Sequence, residues 1–179
     1  SGALSQSALM NAALMHAVLM HAALMICGFL GTVIGVERAV ALKHPAAYLA
    51  PACSGLGAWA LLCGHTRTGA WLMVAAALCF VGVNTALLRR QRALHVALLW
   101  LSALVWLIAT LRFALGHSDA AVMAGWFGFL VLTIAAERLE MTRLLPRQPH
   151  ATPLLALPLA LLLLGAAASA LWPRLGGLA

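Results

Sequence analysis

The chain has 179 residues, 64% of them hydrophobic and 8% charged, with a net charge of +7 and a mean hydropathy of +1.01. Soluble chains average about 45–50% apolar and about 25% charged residues, so this one lacks the polar surface that a water-soluble fold needs. Its cations sit at the ends of apolar runs rather than along one face. That excludes a nucleic-acid partner and marks topology signals in a lipid bilayer.

Six apolar runs are close to the ~20 residues that cross a bilayer. They lie at about 17–36, 46–64, 69–88, 93–111, 120–136 and 151–172. Their length and the lack of period-two alternation predict helices rather than strands. The expected architecture is all-α, one polytopic bundle of about six helices over 1–179 with short antiparallel connections. The chain opens on Ser-Gly-Ala without Met, and residues 1–9 carry no basic leader with a cleavage site. A processed, tagged or truncated product is one reading of this start, and it leaves open whether a helix precedes it.

The first, third and fifth connections hold Arg38, Lys43, Arg89, Arg90, Arg92, Arg138, Arg143 and Arg147. The opposite side holds Arg67, Arg112 and Arg174. The positive-inside rule then directs both termini outward from a bacterial cytoplasmic membrane. Trp71 and Trp172 fall at the expected outer surface and Tyr48 near the inner one, as aromatic belts do.

An internal repeat is visible. Gly28-Phe29-Leu30, Ile34 and Glu37-Arg38 recur as Gly128-Phe129-Leu130, Ile134 and Glu137-Arg138, at an offset of 100. Each copy is followed by a basic connection and then a proline, Pro51 or Pro153. Four spans separate the copies, so a parallel duplication relating segments 16–64 and 117–172 is expected. Across its pseudo-twofold axis Glu37 would meet Arg138 and Arg38 would meet Glu137. Adjacent residues on a helix do not face each other, so the bridges are expected between copies.

A five-residue pattern opens the chain and places Met10, Met15, Met20 and Met25 about 140° apart in succession, winding around the helix. Within it His16 and Met20 share a face, as do His21 and Met25. Imidazole with thioether suits copper(I) or haem iron better than zinc or magnesium. His117 lies eleven residues before Gly128, and His16 twelve before Gly28, so both fall at one depth, with His65 at a similar level. Intramembrane histidines are costly and usually face the bundle interior. Candidate metal ligands are therefore His16, His21, Met25, His65 and His117; the alternatives are interfacial histidines bonded to water, or a proton or substrate path.

Arg112 lies where the topology rule keeps cations scarce. Either Asp119 or the carboxylates of a haem would pair with it. His95 reads as a core or interface histidine, and His44 and His150 as solvated ones. Gly31 and Gly35 form a spacing that lets another helix approach closely. Cys27, Cys53, Cys63 and Cys79 lie in or beside apolar runs, where buried thiols pack. No Walker loop, dinucleotide fingerprint or hydrolase motif is present, and no acid falls at mid-membrane, which lowers the case for an ion-coupled permease.

The stretch His21-Ala-Ala-Leu-Met25-Ile-Cys-Gly28-Phe29-Leu30 resembles the His-Glu-Met-Leu-Phe-Gly segment of NnrS-type membrane proteins. Arg112-Phe-Ala-Leu-Gly116-His117-Ser is similar to that family's Arg-x-x-Leu-Gly-His-Thr signature. The resemblance implies a bacterial inner-membrane haem or copper protein of nitrogen-oxide stress, distantly like the haem–copper oxidase core. It carries over His21 and His117 as ligands, with Arg112 beside them. Ala22 stands where the family has Glu, no Gly-Arg follows Ser118, and the family has about twice as many helices. The leading expectation is a protein binding haem b or copper in respiratory or nitrogen-oxide chemistry. Against it stands an accessory subunit packed among other membrane subunits, and behind both a small-molecule or metal permease.

Overall fold

A computed structural model describes residues 2–141, and every regular element in that range is helical. The first is one unbroken rod in three parts: α1 (Gly2–Ala22), a π-helical stretch (Ala23–Leu30) and α2 (Gly31–Leu42). A 3-10 turn (Pro45–Tyr48) leads into α3 (Leu49–Leu62). Then come α4 (Thr66–Arg90), α5 (Leu94–Ala114) and α6 (Ala120–Met141). These match the first five expected helices in order. The sixth expected span, 151–172, lies outside the described residues, as do Arg143, Arg147, His150, Pro153, Trp172 and Arg174.

Among the described residues four helices are long and apolar enough to cross a membrane: Leu9–Leu42, α4, α5 and α6. The expected span at 46–64 is not among them. With 14 helical residues α3 rises about 21 Å, short of a hydrocarbon layer of about 30 Å. The preceding 3-10 turn, entered through Pro45, is what shortens it. Large apolar side chains point outward on all four long helices, among them Val33, Leu78, Ile108 and Ile134, each more than half exposed. In water such a belt would be an aggregation surface.

Small residues on the rod decide how closely α3 approaches. A Cβ on Gly28 would lie 2.7 Å from the Ala58 Cβ, and one on Gly31 would lie 2.9 Å from both Ser54 Oγ and the Trp106 ring. One on Gly35 would press on Pro51 at 3.2 Å. The descending order of partners makes α3 antiparallel to the rod. The close contact expected of Gly31 and Gly35 is thus with α3, and Gly28 extends it by about one turn.

The remaining neighbours are antiparallel as well. Gly57 meets Gly69 and Met73 between α3 and α4, while Trp100 Nε1 donates to Thr85 Oγ1 at 3.0 Å between α5 and α4. Gly125 admits Ala109 between α6 and α5, and Thr133 Oγ1 donates to Ser102 Oγ at 3.2 Å. The rod and α6 therefore run in the same direction. Between them sits an aromatic core in which Trp106 stacks on Phe129 at 4.9 Å and Phe80 meets both edge-on. Such pairs add about 0.5–1.5 kcal/mol each beyond simple burial.

Candidate functional site

A cavity of about 600 Å³ opens at the end of the bundle where α4 begins and α5 finishes. Its wall includes His16 and Met20 from α1, Arg67 and Trp71 from α4, Phe113 from α5, and His117 from the turn that follows. His16 and Met20 reach it together because they are four apart on one helix face. His117 reaches it through a specific chain reversal. Gly116 takes φ 91°, its N–H bonds the Phe113 carbonyl at 3.0 Å, and the His117 N–H bonds the Arg112 carbonyl at 3.1 Å. This is a Schellman close, in which a left-handed glycine folds the next residue back over the helix end.

The end of α3 is built the same way. Gly64 has φ 82°, its N–H bonds the Leu61 carbonyl at 3.0 Å, and the His65 N–H bonds the Ala60 carbonyl at 2.9 Å. His65 thereby becomes the residue from which α4 starts. It is exposed and does not line the cavity, although its neighbours Thr66 and Arg67 do. His21 and Met25 are also exposed and away from it, Met25 at 45%. Five residues beyond His16, the His21 side chain is turned about 140° around the rod.

Arg112 does not line the cavity either. Its Nη2 lies 2.5 Å from Asp119 Oδ2, the protein partner considered for it from sequence. Asp119 Oδ1 also accepts from the Val122 N–H at 3.2 Å, capping the first turn of α6. Slight burial would raise the Asp119 pKa. The hydrogen bonds from Arg112 and Val122, with the charges of Arg112 and His117, outweigh it and hold the carboxyl below its usual range. The Arg112 Nε is buried and unpaired.

The opposite end of the bundle carries the other ionic group. Arg38 is buried, and its Nη2 lies 2.6 Å from Glu37 Oε1 and 3.9 Å from Glu137 Oε1. The expected Arg38–Glu137 meeting of the two like-directed helices is present. The reciprocal Glu37–Arg138 bridge is not found among the described residues; Arg138 is exposed, and Glu37 is taken by its own neighbour. The Arg side chain is long enough to curl back along the rod, which the rule for adjacent helical residues does not anticipate.

Sequence reasoning also passed over a polar chain in the middle of the bundle. Trp106 Nε1 donates to Cys27 Sγ at 3.3 Å, Cys27 Sγ lies 4.0 Å from Thr110 Oγ1, and Trp126 Nε1 donates to Thr110 Oγ1 at 3.2 Å. Ser54 Oγ donates to the Cys27 carbonyl. That carbonyl belongs to the π-helical stretch, where backbone groups leave the regular ladder and need other partners. Ser54 and Thr110 inside apolar runs were the available signal. His95 is buried at 3% exposure near the start of α5, in keeping with a core histidine.

Among the described residues no three His, Cys, Asp or Glu side chains converge on one point that could hold a metal ion. The cavity wall offers two imidazoles and one thioether, with one guanidinium and the hydroxyls of Thr66 and Ser118 beside them. A family model described as a domain of unknown function, DUF8744, matches residues 1–179. The chain belongs to the DUF8744 family. No curated protein and no solved structure matches it. The cavity, the Arg38 cluster and the Cys27 network are thus features of a DUF8744 chain read from its own geometry.

Proposed function

We propose that this DUF8744 chain is a multi-pass protein of the bacterial cytoplasmic membrane that holds a haem in the cavity between His16 and His117. The observation that carries the reading is that these two histidines, near opposite ends of the described chain, line one cavity. Its volume of about 600 Å³ falls within the range of cofactor pockets, about 300–1,000 Å³. A bare ion needs no such space. Trp71 and Phe113 supply apolar walls, and His16 and His117 are the residues that would hold the iron. When bound, the haem would supply one-electron chemistry, consistent with a respiratory or nitrogen-oxide role. The protein's part would be to hold the iron through His16 and His117 and to set the polarity around it.

Copper(I) is the second reading, favoured by Met20. His16, Met20 and His117 form a soft donor set on one cavity, and thioether with imidazole is what that ion selects.

The membrane reading rests on the four long apolar helices and their outward-facing side chains. The cation count orients the Arg38 end toward the cytoplasm and the cavity outward. The like-directed rod and α6, meeting through Arg38 and Glu137, support a parallel duplication with a sixth helix at 151–172.

Purification from the native membrane tests the function. A Soret band with stoichiometric iron is the expected result, and bound copper without the band selects the second reading. A colourless, metal-free protein recovered with stoichiometric partners would instead make it an accessory subunit.

A further inference from the structure

We propose that Arg67 is the anion anchor of this cavity, so that its occupant carries a carboxylate on an apolar, macrocycle-sized body. The inference rests on the cofactor reading above and names the group by which the occupant is oriented. Every ionisable residue in the cavity wall is basic: His16, Arg67 and His117. No acidic residue lines it. The chain has four acids, and three of them, Glu37, Glu137 and Glu140, lie near the C-terminal ends of α2 and α6 at the other end of the bundle.

The fourth, Asp119, is committed to Arg112 at 2.5 Å and to the first turn of α6. Arg112 was the residue expected to meet a haem carboxylate, but its charge is met within the protein and it stands outside the wall. Arg67 has no ion pair among the described residues. It lies in the first turn of α4, one turn from Ala70 and Trp71, which contribute to the apolar floor with Leu19 and Phe113. Leu19, Ala70 and Phe113 are all buried. A cationic rim over an apolar floor selects an amphiphile with an anionic end. A guanidinium binds a carboxylate through two parallel N–H donors, which lysine cannot reproduce.

The test uses the full chain in neutral detergent with four probes: haemin, metal-free protoporphyrin, and the dimethyl ester of each. Charge-assisted hydrogen bonds are worth enough to change affinity by about 10- to 100-fold. Arg67→Gln should therefore weaken metal-free protoporphyrin by at least about tenfold, with Arg67→Lys recovering part of the loss. The dimethyl ester should bind wild type and Arg67→Gln alike, because it offers no carboxylate. Equal affinity of both proteins for the free diacid, or an equal loss with the ester, would overturn the anchor.

Iron ligation is read separately. An Arg67-dependent diacid with no His16- and His117-dependent gain for haemin keeps the anchor and removes the haem reading, and the converse pattern removes the anchor alone. Repeating the diacid titration in phosphatidylcholine and phosphatidylglycerol nanodiscs distinguishes the natural anion. An Arg67 effect that vanishes in phosphatidylglycerol would overturn the proposal in favour of a lipid headgroup.

Discussion

His16, on the first helical rod, and His117, folded back over the end of α5 by Gly116, line the same cavity. Two structural devices bring them there. The run of Gly28, Gly31 and Gly35 seats the rod against α3, and the Schellman turn at Gly116 aims the backbone after α5. Either can be disturbed without touching an imidazole, which makes their contributions separable.

The glycine seam is the first place to measure this. Gly31→Val puts a branched side chain where Ser54 Oγ and the Trp106 ring already lie 2.9 Å from a bare Cβ. Overpacking of this kind typically costs about 1–3 kcal/mol. Gly82, also helical, has nothing within 4 Å of its Cβ position, so Gly82→Ala should be neutral or stabilise by up to about 1 kcal/mol. Thermal unfolding in detergent should show Gly31→Val melting lower and Gly82→Ala no lower than wild type.

The ionic group at the other end is expected to be non-additive. Glu37→Gln or Glu137→Gln alone leaves Arg38 one carboxylate, whereas both together leave a buried guanidinium with none. Removing the partners of a buried charge costs about 3–5 kcal/mol, and the partial exposure of both glutamates lowers that to about 2 kcal/mol. The double variant should therefore lose more stability than the two singles combined. Strict additivity, or no loss, would mean that Arg38 draws nothing from these carboxylates.

Asp119 supplies a pH dependence. Its pKa is held down, with slight burial opposed by Arg112, the Val122 N–H and His117. A carboxyl depressed on folding contributes stability that is fully present above its unfolded pKa of about 3.9 and is lost as pH falls through the folded value. On titration from pH 7 to pH 3, wild type should lose thermal stability more steeply below about pH 4 than Asp119→Asn does. The effect is small because the pair is substantially solvent-exposed. Parallel curves would remove Asp119 from the acid response.

Much of the fold was legible because a bilayer demands long apolar runs, and five of the six expected helices appear in order. The length of α3 was not, since Pro45 and the Gly64 reversal shorten a run that composition alone leaves open. At the site, the shared depth of His16 and His117 could be read from the repeat. The spacing also put Met20 on the face of His16 and His21 with Met25 on another. Which of those faces turns toward His117 could not be read, because depth says nothing about how the rod is rotated against its neighbours. The fold turns the His16 and Met20 face to the cavity and leaves His21 and Met25 outside it. Arg67 was read only as an outer-side cation. Its place in the cavity follows from the turn at Gly64 and His65, where a Gly-His pair closes α3 as Gly116-His117 closes α5.

The most direct test of the account is a reduced-minus-oxidised difference spectrum of the protein purified from its native membrane, recorded for His16→Ala, His117→Ala and His21→Ala. A haem band present in wild type and His21→Ala, but abolished in His16→Ala and in His117→Ala, is the predicted result. A band that survives loss of His16 or His117 and vanishes with His21 would contradict it.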